Sequence, residues 1–313
     1  MKQPDDVILT IGVPVYNGAL FIADLLDSIT ISTDISHKIE ILVSDNCSTD
    51  NTADVVKSFS HVTYCRNDEN VGYDRNAYNI FQKAKGKYVW TIGSDDVIIG
   101  NSTLSFLVDI LESQDQIGVV HVGGSAVIPN LHKVYDKDEQ FFLDSKFQSG
   151  FASSNIVNRE MWLGTNPSQY FGTGWVHFGV ILRIVNHSIT VVTKEKLVDE
   201  NPRFSHLSKS WDLNGSSLTI MLELVKIFNQ SSKRGYSRNF SRKAKLLIKA
   251  QYPKEIIKCK AKGLHIGIDL VKEFISCYKL FPSFWLIDLP ALLLPRRLCG
   301  FIYNQRKTIN NAS

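Results

Sequence analysis

Over the first 125 positions, short apolar runs alternate with longer amphipathic stretches. The runs VILTIGV (7–13), IEILVS (39–44), VTYC (62–65), YVWTIG (88–93) and VVHVG (119–123) are rich in β-branched residues and bounded by Pro, Asn, Asp or Gly. That pattern predicts strands. Between them, LFIADLLDSI (20–29), TADVVKSF (52–59), RNAYNIFQKA (75–84) and LSFLVDIL (104–111) place apolar residues at i, i+3 and i+4, the spacing of helices with one buried face. Strict alternation of the two kinds predicts an α/β fold with a mostly parallel sheet covered on both sides.

Beyond this half the pattern loosens. Residues 126–175 mix Asn, Ser, Gly and aromatics without a clear period, and helical spacing returns from Trp175 to Leu182. A polar stretch, 199–216, reads as a loop ahead of the helix-like LTIMLELVKIF (218–228). The expected organisation is a main α/β domain over 1–225, with halves at about 1–125 and 126–225, followed by a helical, partly apolar tail over 226–313.

Charge sharpens that division. The net charge of +4 conceals 17 Lys and Arg against 27 Asp and Glu in residues 1–225, and 18 against 4 in residues 226–313, so that the two parts carry −10 and +14. The tail is either a solvated lysine-rich helix surface or a partner for an anionic membrane. Its most apolar stretch, FPSFWLIDLPALLLP (281–295), contains three prolines and an aspartate and is shorter than the ~20 residues that span a bilayer. An interfacial position is expected, without a crossing. The five cysteines are widely spaced and none forms a C-x-x-C pair, as for free thiols in a reducing compartment. The start, MKQPDDVILTIGVPVY, has the wrong order of charge and apolar residues for a signal peptide. A cytoplasmic location is expected.

Candidate chemistry gathers where predicted strands end. In an open α/β sheet, ligands bind beyond the carboxyl ends of the strands. Pro14-Val15-Tyr16-Asn17, Ser44-Asp45-Asn46 and Ser94-Asp95-Asp96 all fall there and should share one crevice. Adjacent carboxylates such as Asp95 and Asp96 each raise the cost of ionising the other, a conflict that a bound cation removes. In VSDNCSTDNT (43–52), Asp45 is followed by helix-capping residues. In NDENVGYDRN (67–76), Gly72 permits a tight turn; Asn70, Arg75 and Asn76 supply donors, and Arg75 is suited to a phosphate.

With VPVYNG (13–18), VSDNCSTDNT, NVGYDRN (70–76) and GKYVWTIGSDDV (86–97) in this order, the chain resembles glycosyltransferase family 2. The likeness runs over roughly residues 7–185 and is strongest to the abequosyltransferase-type branch of O-antigen synthesis. It implies the GT-A fold and transfer of a sugar from a nucleotide donor. It further implies that Asp45 contacts the nucleotide base, that Asp96 ligates Mg²⁺ or Mn²⁺, and that Asp95 lies by the metal or ribose. Ser94 stands where the first Asp of the D-x-D-type motif is often found. Pro14, Tyr16, Asn17, Asn70, Arg75 and Asn76 would complete the donor site. A divalent ion across the two phosphates would stabilise the charge of the departing nucleoside diphosphate, and hard oxygen ligands suit Mg²⁺ or Mn²⁺.

The family usually carries an acidic base near the start of a helix beyond the metal motif. Here that stretch is Phe171-Gly172-Thr173-Gly174-Trp175-Val176-His177, without a carboxylate. Either His177 substitutes, on a helix that Thr173 would cap, or the base lies elsewhere, with Asp212 a candidate. The expected acceptor is a polyprenyl-diphosphate-linked glycan, and the expected location is peripheral, on the inner face of the cytoplasmic membrane. Two competing readings are a non-catalytic nucleotide- or glycan-binding module and a sugar nucleotidyltransferase. The latter would need a Gly-rich basic loop after the first strand, and VPVYNGALF has none. Nucleic acid is not an expected partner, since the acidic main domain would repel it.

Overall fold

The computed structural model describes residues 7–31, 33–125, 128, 130–136, 139–145, 147–204 and 216–310. By its contacts the chain divides into two compact units, residues 1–206 and 207–313.

The first unit opens with β1 (Leu9–Val15), α1 (Ile22–Ser28), β2 (Ile39–Asp45), α2 (Thr52–Lys57), β3 (Thr63–Arg66), α3 (Tyr73–Lys83) and β4 (Tyr88–Thr91). The short β5 (Asp96–Ile98), α4 (Thr103–Ser113) and β6 (Ile117–His121) complete the half in which alternation is regular. There follow β7 (His132–Asp136), α5 (Gln140–Asp144), β8 (Asn155–Asn158), α6 (Arg159–Gly164), α7 (Val176–Ile184), β9 (Ile189–Thr193) and β10 (Val198–Glu200).

Eight strands form one sheet in the order β3-β2-β1-β4-β8-β6-β9-β7, while β5 and β10 pair separately. Strands β3, β2, β1 and β4 are mutually parallel. Next, β8 runs antiparallel to both β4 and β6, so β6 again points as β4 does. The carboxyl ends of β1, β2, β4 and β6 therefore lie along one edge. The β1 and β2 strands run slightly further than their apolar patterns indicate: Pro14 pairs in register with Ser44, and Val15 with Asp45.

The core explains the pattern. Leu9, Ile11, Val13, Val43, Tyr88 and Trp90 are fully buried, and all belong to the cluster closed by α1 and α4. Gly12 is required by close approach, because a Cβ there would lie 2.3 Å from Ile80 Cγ2 of α3. On α6, Trp162 stacks on Phe81 of α3, with centroids 3.9 Å apart.

The second unit is helical: α8 (Ser217–Asn229), α9 (Arg238–Lys249), α10 (Tyr252–Ala261), α11 (Ile268–Tyr278), α12 (Leu289–Leu293), entered through a π-helical turn at Phe284–Asp288, and α13 (Arg296–Asn310). Its core holds Leu218, Leu222, Tyr252, Ile256, Phe274 and Phe284. Among the described residues no helix is long and apolar enough to cross a membrane.

Candidate active site

The turn between β4 and β5 carries the paired carboxylates. Asp96 N–H donates to Gly93 O at 3.1 Å, closing the turn, and Asp96 is 3% exposed. Both carboxylates fold back over Gly93: a Cβ built there would lie 2.8 Å from Asp96 Oδ2 and 3.0 Å from Asp95 Oδ1. A side chain at this position would push the two carboxylates from where they now converge. Ser153, from the loop before β8, fixes the turn. Its hydroxyl donates to Asp96 Oδ2 and accepts from Gly93 N–H at 2.9 Å, while its carbonyl accepts from the buried Trp90 Nε1 at 2.6 Å. On the other side, Asn201 N–H donates to Asp95 O at 2.9 Å.

Among the described residues no cluster of three or more His, Cys, Asp or Glu is assembled, so the side chains offer two carboxylates. That set fits a hard divalent ion of the Mg²⁺ type, which commonly takes one or two carboxylates and completes its shell with water and substrate phosphate.

The loop after β1 lies against this turn, since a Cβ on Gly18 would be 3.2 Å from Ser94 Oγ. Tyr16 is 49% exposed, and Asn17 adopts a left-handed φ of 51°. Asn17 clasps the loop after β2, its N–H donating to Ser48 Oγ at 2.9 Å and its Oδ1 accepting from Thr49 N–H at 2.8 Å.

Asp45 at the end of β2 is fully buried. Oδ1 accepts from Ser48 N–H at 2.8 Å, and Oδ2 from Tyr64 Oη at 2.6 Å and Arg66 Nη1 at 2.8 Å. Three of the roughly four acceptor positions of a carboxylate are thereby used. Burial pushes this carboxyl up, but the bonds from Ser48 and Tyr64 and the charge of Arg66 outweigh it and hold it below the usual 3.8. Tyr64 and Arg66 are two apart on β3, and Arg66 is in register with Asp45. Period-two spacing puts both on one face, which was the signal available for finding them.

Asn76 turns its amide into the protein, whereas Asn70 is exposed and uses its oxygen to bind neighbouring loops. Asn70 Oδ1 accepts from Asn46 Nδ2 at 2.8 Å and Gly72 N–H at 3.0 Å. Asn76 is 2% exposed; it donates to Ser44 O at 2.9 Å and accepts from Ser44 Oγ at 2.7 Å and Asn67 Nδ2 at 2.9 Å. These amides tie the loop after β3 to the end of β2, with Gly72 at φ 78° making the bend. Arg75 is exposed, with its guanidinium 5.0 Å from the Phe171 ring centroid.

His177 sits in the first turn of α7, partly buried. Its Nε2 is 2.9 Å from Gly150 O. A carbonyl only accepts, so Nε2 carries the proton and Nδ1 keeps its lone pair. Tyr73 Oη is 3.4 Å from Nδ1. Burial lowers the His177 pKa below its usual 6.5, against opposing contributions from the Gly150 bond and the Asp74 charge. The Tyr73 phenol is pushed up, first by burial and then by the negative charges of Asp74 and Asp96. The Asp74 charge thus acts on both members of the Tyr73–His177 pair, and that of Asp96 on Tyr73.

Thr173 does not cap α7 as its position suggests. Its hydroxyl donates to Tyr170 O at 2.7 Å and accepts from Trp175 N–H at 3.0 Å, one residue short of the helix. The cap comes from α3: Asp74 accepts from Gly174 N–H at 2.9 Å and Val176 N–H at 3.1 Å. A partner 100 positions away has no local signature. Asp212 lies outside the described residues.

This fold is of the GT-A type found among glycosyltransferases, and the comparisons agree. The model of "Glycosyl transferase family 2" matches residues 10–167. The chain belongs to that family. It is 26% identical over 266 residues, covering 76% of this chain and 78% of the relative, to the abequosyltransferase RfbV of Salmonella typhimurium strain LT2. In fold it resembles a crystal structure of S. aureus TarS 1–349, with a TM-score of 0.59, 13% identity, and 96% and 92% of the two chains covered. It also resembles the mannosyltransferase PcManGT of Pyrobaculum calidifontis in complex with GDP-Man and Mn²⁺, with a TM-score of 0.56, 16% identity, and 97% and 91% covered.

Proposed function

We propose that this glycosyltransferase moves a hexosyl or deoxyhexosyl group from a nucleoside-diphosphate donor to a lipid-linked glycan in O-antigen or related surface-polysaccharide synthesis. The observation that carries the reading is the convergence of Asp95 and Asp96 over Gly93, at the strand ends where the β1 loop and Asp45 also lie. Asp96, with Asp95 beside it, would hold Mg²⁺ or Mn²⁺, which when bound neutralises charge on the leaving diphosphate.

The other roles follow from position. Asp45, held ionised by Ser48, Tyr64 and Arg66, is the carboxylate we assign to the nucleotide base. Pro14, Tyr16 and Asn17 line the nucleoside, and exposed Arg75 faces the anionic part of the ligands. Asn70 and Asn76 hold the loops in shape. In the transfer, the acceptor hydroxyl oxygen bonds to the anomeric carbon as the bond from that carbon to the diphosphate oxygen breaks. The nucleoside diphosphate leaves with the electron pair, and the hydroxyl proton passes to His177 Nδ1. A base needs a lone pair available near the working pH; the Gly150 contact leaves it on Nδ1, where the acceptor hydroxyl would take the place of the Tyr73 hydroxyl that now lies 3.4 Å away.

The acceptor is best read as a glycan on polyprenyl diphosphate at the inner leaflet of the cytoplasmic membrane, because residues 226–313 carry an excess of 14 positive charges suited to an anionic surface. The test is a panel of nucleotide sugars with and without Mn²⁺ or Mg²⁺, scored for donor hydrolysis and for transfer to polyprenyl-diphosphate glycans. Metal-dependent turnover of one donor is expected. Tight binding of a nucleotide sugar with no turnover under any condition identifies a binding module instead.

A further inference from the structure

In the second unit, the stretch from Lys279 to Phe301 exposes a series of large apolar side chains. Leu280, Trp285, Leu286, Ile287, Leu293 and Phe301 are all exposed there, Leu286 to 78%. An exposed apolar patch of this kind marks an interaction site. Asp288 is the one acid between residues 274 and 310, and it is turned inward. It is fully buried and pairs with Lys249 of α9 at 2.6 Å. A second buried lysine, Lys260 of α10, donates to Leu292 O at 2.6 Å.

These two contacts hold the π-helical turn and α12 against the helices behind them. The segment from Lys279 to Phe301 thereby presents no carboxylate of its own outward, although its sequence runs through an aspartate. Lys279, Arg296 and Arg297 flank the stretch and are all exposed. A protein surface would ordinarily ask for both signs of charge around an apolar centre. Apolar side chains, an indole and cations alone match the interface of an anionic bilayer, where Trp sits at headgroup depth and apolar faces reach a little below it.

We propose that the turn Trp285-Leu286-Ile287, with Leu280, Leu293 and Phe301 around it, inserts into the interface of an anionic lipid bilayer, with Arg296 and Arg297 against the headgroups. The inference rests on the membrane-bound acceptor of the proposed function but goes beyond charge attraction: it requires an apolar contact that salt does not screen.

The test uses the full chain and vesicles of phosphatidylcholine alone or with phosphatidylglycerol. Parent protein should sediment with the anionic vesicles at low salt and keep a measurable part of that binding at 0.5 M salt, a concentration chosen to shorten screening to roughly 4 Å. Leu286→Ser/Ile287→Ser should weaken the salt-resistant binding roughly ten-fold or more. Arg296→Gln/Arg297→Gln should mainly weaken the low-salt binding. Unchanged thermal unfolding in both variants separates surface effects from misfolding. The proposal is overturned if the serine variant sediments like the parent at high salt, if the parent does not sediment at all, or if the patch proves to mediate a dimer that the serine variant dissolves. Donor turnover, measured alongside, reports on the transferase reading separately, so either can fail alone.

Discussion

Tyr73 Oη lies 3.4 Å from His177 Nδ1, across the ring from the Gly150 carbonyl that fixes the tautomer. The nitrogen able to take a proton is thus the one facing Tyr73. His177→Ala should lose sugar transfer by ~10²–10⁴-fold, the range of general-base removal, while donor affinity and thermal stability stay near those of the parent. Because the His177 pKa lies below 6.5, the imidazole is neutral at pH 7. The acid limb of kcat/KM that His177 controls should therefore fall below pH 6.5. An alanine variant that transfers at the parent rate, or that loses the fold, removes His177 from the mechanism.

A second expectation concerns the clamp on the metal motif. Asp96→Asn should cost at least ~100-fold in transfer, the scale of one lost electrostatic stabiliser, with the fold intact. Ser153 acts through Asp96, so Ser153→Ala should weaken Mn²⁺ affinity by ~10–100-fold, as loss of a group orienting a ligand does, and added Mn²⁺ should recover much of the activity. Gly93→Ala should be the harsher change, since its methyl would press on both carboxylates. Equal Mn²⁺ titration curves for parent and Ser153→Ala would count against the clamp.

The loops that carry Asn17, Asp45 and Asp96 are legible in the sequence. The strands around Ile11, Val43 and Trp90 declare themselves by β-branched runs because they are buried on both faces, and the polar ends of β1, β2 and β4 stand out against them. The loops around Asn17, Asp45 and Asp96 follow from that contrast. By comparison β8, NIVN (155–158), is four residues long and pairs with β4 and β6, too short to show a period. Its preceding loop supplies Ser153, whose role depends wholly on tertiary contact. Asp74 capping α7 and Asp288 turned toward Lys249 belong to the same class. Each is a polar residue whose partner is remote in sequence, and nothing local distinguishes it from a solvated one.

Asp74 and His177 should be separable experimentally. Asp74→Ala removes the cap from both Gly174 and Val176 N–H groups, which should destabilise the protein by ~1–2 kcal/mol and displace the first turn of α7. Transfer should fall with it. Asp74→Asn keeps one of the two acceptor oxygens and should recover only part of the stability. If Asp74→Ala unfolds at the parent temperature, α7 does not depend on this carboxylate.

The last prediction concerns acid stability. His121, at the end of β6, is fully buried, with Nδ1 3.1 Å from Asn155 Oδ1. The Asn155 amide donates to Ser149 O at 2.9 Å and Phe151 O at 3.1 Å, which turns its oxygen toward the imidazole, so Nδ1 bears the proton. Burial lowers the His121 pKa from 6.5 to about 4, against smaller opposing contributions from Asn155 and Ser154. Below pH 6.5 the unfolded chain takes up a proton at this residue that the folded protein refuses until about pH 4. The stability gained from a neutral His121 is therefore complete above pH 6.5 and is lost as pH falls toward 4, by an amount on the order of 3 kcal/mol. His121→Gln keeps a donor for Asn155 but cannot titrate. It should be less stable than the parent at pH 7.5, where packing alone decides, and the gap should narrow or reverse by pH 4.5. Carboxylates titrate in both proteins and cancel in the difference. Parallel stability curves between pH 7.5 and 4.5 would show that His121 does not set the acid response.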